Sequence, residues 1–390
     1  MFELSAEHEM FRAAVRDFAE SEIRPHSAQW DQEHRFPVEI VPKMGEMGLF
    51  GLTAPEEFGG ADGDFLSLCV AIEELGRVDQ SIGITLSAGV GLGINPILSF
   101  GTAEQKERWL PALVAGRQLA AFGLTEPGAG SDAGGTRTRA RRENGEWVIN
   151  GSKSFITNSG TSITSVVTVT ARTGEQPDGS PEISAILMPA GTPGFTVDPA
   201  YHKLGWHASD THGLTFDDCR VPAENLVGEQ GAGFRQFLQI LDDGRVAISA
   251  LALGLAQACL ELATEYAKTR VAFGRPIGAN QGVAFQVADL AVAVEAARAL
   301  TYKAAWLKDE RDAGRRSAKE LSQAAAIAKL YSTEAAVTAT RTVTQILGGN
   351  GFMEEFPAAR YYRDAKILEI GEGTSEIQRM VIARGLGLPR

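Results

Sequence analysis

Three stretches in the second half of the chain, Ala247–Thr269, Gln281–Asp309 and Ala318–Leu347, are rich in Ala and Leu and carry few helix breakers. Alanine and unbranched side chains lose little freedom on entering a helix, so each run predicts one long helix. Helices of that length, joined by short loops, bury their apolar faces against one another, which predicts a bundle from about Gly233 to the end. A helical period also organises residues 1 to about 118. There Phe11, Val15 and Phe18 recur at helical spacing, Ile23 follows, and Pro25 predicts a stop. Leu66–Leu75 and Glu104–Val114 read as further amphipathic helices, with the Gly- and Pro-rich loop Thr53–Asp64 ahead of them. The dense glycines of Ser87–Gly101 suit close helix packing or a ligand wall.

Between these regions the texture changes. From Leu119 to about Gly228, short β-branched runs alternate with turns. Glu146–Ile149, Ser165–Ala171, Ile183–Met188 and Gly213–Phe216 are candidate strands, Glu143-Asn144-Gly145 is a hairpin signal, and Thr173–Pro181 reads as an exposed loop. The expected plan is a helical domain (1–118), a β domain (119–232) and a helical bundle (233–390).

A chain of 390 residues with 44% hydrophobic and 22% charged residues has ordinary globular composition and length for two or three domains. Its net charge of −12 argues against broad nucleic-acid binding, so an anionic ligand must be held by local donors. No run of about 18 apolar residues stands out, and no membrane span is expected. The acidic N-terminus, with Glu3, Glu7 and Glu9, resembles neither a signal core nor a transit peptide. Cys69, Cys219 and Cys259 lie far apart, which suggests neither disulfides nor zinc and suits the cytoplasm.

The stretch Tyr361–Met380 holds the main chemical candidate. In Gly371-Glu372-Gly373-Thr374-Ser375, two glycines flank one carboxylate, so the backbone there can bend tightly beside a ligand. A helix restarts near Thr374, capped by Thr374 or Ser375, with Ile377, Met380 and Val381 expected on its buried face. Glu372 reads either as a general base on a hinge or as a solvated carboxylate in an interhelical turn. Asp242 and Arg245 share one helix face and suggest an ion pair. Arg137, Arg139 and Arg141 alternate along a probable strand, either as a solvated face or as a phosphate contact. GAGSDAGG follows a strand without a βαβ pattern, so no NAD fingerprint is present.

Nine motifs in order carry a family resemblance over essentially the whole chain. They are FAESEIRPHSAQWDQEHRFP, PEEFGG, LTEPGAGSD (124–132), GSKSFITN (151–158), LGWHASDTHGLTFDDCRVP, LDDGR (241–245), TRVAFGRPIGANQ, QILGGNGF and YRDAKILEIGEGTSEIQR. The chain closely resembles the acyl-CoA dehydrogenases. The resemblance implies an α+β multidomain fold: an N-terminal helical domain, a middle β-barrel or sandwich domain, and a C-terminal four-helix bundle. It implies bound FAD, an acyl-CoA substrate, an electron-transfer flavoprotein as acceptor and a homotetramer built as a pair of dimers.

By the same resemblance, Phe122, Leu124 and Thr125 lie against the flavin and Ser131 contacts both flavin and CoA. Phe155 covers the isoalloxazine ring and Thr157 bonds near its N5; the family usually has Trp at the Phe155 position, so the aromatic surface is kept and the indole N–H is lost. Arg270, Gln281 and the segment Gln345–Gly349 reach the FAD of a neighbouring subunit, while Thr374 and Glu376 match positions that bind the FAD diphosphate or adenosine. Asp242, Arg245 and Gly373 belong to the substrate channel. Glu372 is the base that takes the α-proton while a β-hydride passes to flavin N5. Some relatives place their base where this chain has Gly244, which has no side chain to offer. The alternatives on this fold are an acyl-CoA or nitroalkane oxidase, or a silent helical interaction subunit. Straight-chain relatives often carry Tyr just before the base, whereas this chain has Gly371. That leaves room for a branch or ring, unless a neighbouring side chain fills it.

Overall fold

The structure is a computed structural model and describes residues 4–388. The first helix, Ala6–Phe18, is capped by the Ser5 side chain and runs through a wide π segment, Ala19–Ile23, into Arg24–Glu33. Pro25 therefore does not stop the helix, contrary to the sequence expectation. It falls in the first turn of the next helical segment, where proline's missing N–H costs nothing.

The helix Phe65–Val78 is capped by Asp64, whose side chain accepts from Ser67 N–H at 2.8 Å. Its sequence suggests an amphipathic surface helix, yet it is buried almost all round. It lies against two of the long helices, Gly233–Thr269 and Gln281–Asp312. Its charged residues are buried with it and find partners on four other segments. Glu73 accepts from Tyr302 Oη at 2.5 Å and pairs with Arg298 at 3.4 Å. Glu74 accepts two bonds from Arg16 at 2.9 Å each, and Arg77 reaches Glu20 at 2.5 Å and Glu261 at 3.1 Å. Burial pushes the Glu73 carboxyl upward, with Arg298 and Arg12 opposing.

The long helices extend the expected runs. The first begins at Gly233, ahead of the helical run read from Ala247, the second reaches Asp312, and the third is Ala318–Leu347, capped by a Ser317–Glu320 box. The C-terminal helix Ser375–Gly385 packs on the third. Gly254 is where Gly233–Thr269 touches Phe65–Val78 most closely: a Cβ there would sit 2.2 Å from the Glu73 carbonyl oxygen.

Eight strands form the middle sheet: β1 Leu119–Gly123, β2 Arg139–Glu143, β3 Glu146–Thr157, β4 Thr164–Glu175, β5 Pro181–Pro189, β6 Phe195–Ala200, β7 Thr211–Pro222 and β8 Leu226–Val227. Their order is β6-β7-β3-β2-β4-β5-β8, with β1 parallel to β4. The strand read as Glu146–Ile149 runs on to Thr157 in β3, where polar Lys153 and Ser154 are buried. β2 and β3 join through Asn144 (φ 51°) and Gly145 (φ 85°), the two left-handed residues of a tight hairpin. The expected loop Thr173–Pro181 shrinks to a turn over 176–180. Trp147, Ile149, Val169, Ile186, Phe216 and Val221 are the heart of the core between the sheet faces.

Two helical stretches, Gln80–Phe100 and within Gly233–Thr269, are apolar enough by length and composition to cross a membrane. In each, 78% of that apolar window is buried inside the fold.

Gly254→Ala should force the two helices apart or unseat Glu73. Overpacking of this kind costs about 1–3 kcal/mol, read as a lower midpoint in urea or thermal unfolding.

Candidate active site

After the 3₁₀ turn Lys366–Glu369, the chain enters two successive left-handed residues, Glu372 (φ 54°) and Gly373 (φ 88°). For the non-glycine residue this conformation costs about 1–2 kcal/mol. The hinge is held from two sides. Lys329 Nζ and Gln378 Nε2 each donate to the Gly373 carbonyl at 2.8 Å. Thr374, not Ser375, caps the following helix by accepting from Ile377 N–H at 3.3 Å. The expected apolar face of that helix is also corrected. Ser375 and Gln378 are its buried residues, Ile377 and Val381 are half-buried, and Met380 is 58% exposed. The polar side turns inward because the hinge carbonyls need donors.

The Glu372 carboxylate points at the Gly233–Thr269 helix, where a Cβ on Gly244 would lie 2.8 Å from Glu372 Oε2. Gly244 and Glu372 thus converge on one point, and only a glycine leaves it open. Desolvation pushes the Glu372 carboxyl above the usual carboxylate range, with Arg245 and Lys329 opposing. The Glu372 N–H has no backbone acceptor among the described residues. Arg245 binds Asp242 at 2.5 Å, and Asp242 also accepts from Ser322 Oγ at 3.1 Å. This pair is sheltered rather than on the helix surface, and burial pushes Asp242 upward. Beside Gly371, chain neighbours apart, the one atom within 4 Å of an added Cβ among the described residues is the Ile367 carbonyl oxygen at 3.6 Å.

Phe122, at the end of β1, stacks on Phe237 at 5.7 Å, and Leu241, Leu124, Leu92 and Ala133 complete an apolar patch. The loop that follows is strapped to β3. Thr125 accepts from Ser154 N–H at 2.8 Å. Sequence reasoning missed the strap's centre, the fully buried Lys153. Its Nζ donates to Glu126 at 2.8 Å, to the Leu124 carbonyl at 3.0 Å and to Thr170 Oγ1 at 3.1 Å. Glu126 in turn accepts from the N–H groups of Arg137 and Thr138. The available signal was a lone lysine in GSKSFITN and carboxylates in LTEPGAGSD. Burial lowers Lys153 to about 8, with Glu126 opposing.

Ser131 is exposed at the loop's tip. Phe155 is 65% exposed at φ 62°, and its ring meets Tyr201, a second residue sequence reasoning did not single out, at 5.1 Å. Thr157 closes β3 two residues on. An exposed aromatic face, threonine hydroxyls and an apolar wall around Phe122 and Leu124 fit a planar flavin ring with one polar edge.

Arg270, Gln281, Gln345, Gly349 and Glu376 are exposed and Thr374 half-exposed. Asn350 donates to the Tyr266 hydroxyl at 3.0 Å, which sets the Gln345–Gly349 segment beside the helix end carrying Arg270. Within one chain these residues are not bonded to the Glu372 hinge, Thr374 and Glu376 apart by their position. Arg137, Arg139 and Arg141 are exposed, Arg141 pairing with Glu143 at 2.6 Å, as a solvated strand face requires.

The chain matches three family models, described as the acyl-CoA dehydrogenase N-terminal domain (residues 5–117), middle domain (121–219) and C-terminal domain (231–387). It is 48% identical to the mitochondrial short-chain specific acyl-CoA dehydrogenase of Mus musculus, covering 98% of this chain and 90% of that one. The butyryl-CoA dehydrogenase structure from Megasphaera elsdenii matches at 41% identity and a TM-score of 0.93, over 99% of both chains. A structure described as electron transferring flavoprotein of Acidaminococcus fermentans matches at 41% and 0.94, again over 99% of both. An acyl-CoA dehydrogenase complexed with FAD from Bacillus anthracis matches at 33% and 0.91, over 98% of this chain and 67% of that one.

Proposed function

The chain belongs to the acyl-CoA dehydrogenase family, and from that premise we propose how its residues work. It is an FAD-dependent oxidoreductase of fatty acid β-oxidation. In our reading Glu372 removes the α-proton of an acyl-CoA thioester on the way to the trans-2-enoyl-CoA. The observation that carries this is a desolvated carboxylate on a braced left-handed hinge, facing a helix that leaves it room only at Gly244. The α-C–H of a thioester is a poor acid, so it needs a dry base and donors for the oxygen that gains charge. The backbone N–H of Glu372 is free to be one such donor. Held by Phe122, Leu124, Thr125, Phe155 and Thr157, bound FAD would supply the hydride acceptor.

The chain's other residues position the reactants. Phe122, Leu124, Thr125, Phe155 and Thr157 form the wall for the flavin, with Ser131 between flavin and CoA. Asp242, Arg245 and Gly373 border the substrate channel. Arg270 suits the diphosphate, since a guanidinium donates two parallel bonds. Thr374 and Glu376 sit at the adenosine end, where an exposed carboxylate suits ribose hydroxyls better than phosphates. Three free, buried thiols fit a reducing cytoplasm.

Glu372→Gln should bind FAD and acyl-CoA yet slow anaerobic flavin bleaching by about 10²–10⁴. Bleaching near the wild-type rate would move the base elsewhere.

Electrons should leave to an electron-transfer flavoprotein rather than to oxygen. The working unit should be a homotetramer, because Arg270, Gln281, Gln345 and Gly349 face outward toward a neighbour's FAD. Val271, Phe273, Phe285 and Phe352, all more than half exposed, surround the same end of the chain and support that reading. Arg270→Ala should weaken FAD retention and assembly together, measured by flavin content and solution mass. A stable, fully flavinated monomer contradicts the proposal.

The substrate we propose is a short acyl group with room for a branch or ring beside the reacting carbons. Similarity to short-chain specific and butyryl-CoA dehydrogenases supports the short length, and the open space at Gly371 admits width. Gly371→Tyr should therefore lower kcat/KM for branched or cyclic acyl-CoA far more than for butyryl-CoA. Equal impairment on all esters would end the idea.

A further inference from the structure

One charged side chain beside Glu372 has no part in the reading above. Lys329, on the Ala318–Leu347 helix, is fully buried. It donates to the Gly373 carbonyl at 2.8 Å, and no carboxylate is bonded to it among the described residues. An ammonium taken out of water without a carboxylate partner is costly to keep. The hydrogen bond alone does not require a charge, because neutral Gln378 already donates to the same carbonyl. What a charge adds is a field. We propose that Lys329 is a positioning residue for the base: it anchors the Glu372–Gly373 hinge through the Gly373 carbonyl and holds the neighbouring carboxylate ionised when apolar substrate displaces water. The inference rests on Glu372 being the base.

The surrounding charges support this division of labour. Lys329 bonds the residue next to Glu372, Arg245 follows Gly244, which the Glu372 carboxylate approaches, and both cations favour the charged carboxylate. Arg245 is shared with Asp242 at 2.5 Å, so part of its field is already answered. Lys329 also feels Glu369 and Glu376, on the segments before and after the hinge. Burial brings Lys329 down to about 8, with the Glu372 charge opposing, so it is still mostly protonated at neutral pH.

The test is the pH dependence of flavin reduction in the holoenzyme, by anaerobic rapid mixing with butyryl-CoA. Glu372 works ionised, so the rate falls as pH drops through its pKa. Removing a cation raises that pKa. Lys329→Met should therefore move the acid limb to higher pH by about one unit, about ten-fold in rate below the limb. Lys329→Arg should leave the limb in place. Because an apolar side chain replaces an unpaired buried charge, Lys329→Met should fold and retain FAD. Should it lose FAD, Lys329→Gln with FAD in excess carries the same comparison. Gln378→Leu removes the neutral donor and should slow the reaction without moving the limb. A Lys329→Met limb that overlays the wild type, or a Gln378→Leu limb that moves as far, overturns the inference. Glu372→Gln separates the two failures. If it reduces flavin at the wild-type rate, the base assignment falls and Lys329 with it. If it is inert while Lys329→Met leaves the limb unmoved, only the role of Lys329 falls.

Discussion

A carboxylate that must be dry and yet ionised is the constraint on which the site depends. Water would keep Glu372 charged but weaken it as a base, and an apolar pocket alone would neutralise it. The fold answers with geometry and charge together. A left-handed turn throws the carboxylate toward the long Gly233–Thr269 helix, and Gly244 there leaves space for it. Arg245 and Lys329, on two different helices, both favour the charged carboxylate. None of these groups is near Glu372 in sequence, so the bundle must be assembled before the base has its environment.

Much of this was legible in the sequence because it rests on local signals. Breaker-poor runs gave the long helices, Asn144-Gly145 gave the hairpin, and glycines on both sides of Glu372 gave the hinge. The shortfalls have a common cause. Pro25 was read as a stop because local rules do not register a π segment that shifts the helical frame. Leu66–Leu75 reads as amphipathic because Glu73 and Glu74 suggest a wet face. Their partners include Tyr302 and Arg298 far along the chain as well as Arg16 near its start, and burial rests on all of them. Met380 was expected inside because it is apolar, but the hinge carbonyls needed Gln378 there instead.

The candidate site shows the same split. Glu372 and the flavin-side segments stand out as motifs. Lys153, Glu126 and Lys329 do not, because a lysine in a sequence reads as surface. In the fold all three are buried and brace the segments that carry the motifs. The outward-facing group around Arg270 is the complementary case: visible in the sequence, but without partners inside a single chain.

The ion network around Phe65–Val78 also bears on how the chain is made. Glu73 meets Arg298 and Tyr302, 225 and 229 residues later, and the helix's apolar surface is covered chiefly by Gly233–Thr269. A ribosome adds residues at roughly 5–20 per second, so the helix waits on the order of ten seconds or more for its cover. During that interval Arg16 and Glu20 can already answer Glu74 and Arg77, but Glu73 lacks Tyr302 and Arg298 and the helix's apolar surface lacks its cover. Contacts this distant also slow folding, because loop closure must precede their reward. The N-terminal helices therefore reach their native packing only once residues 233–312 have been made.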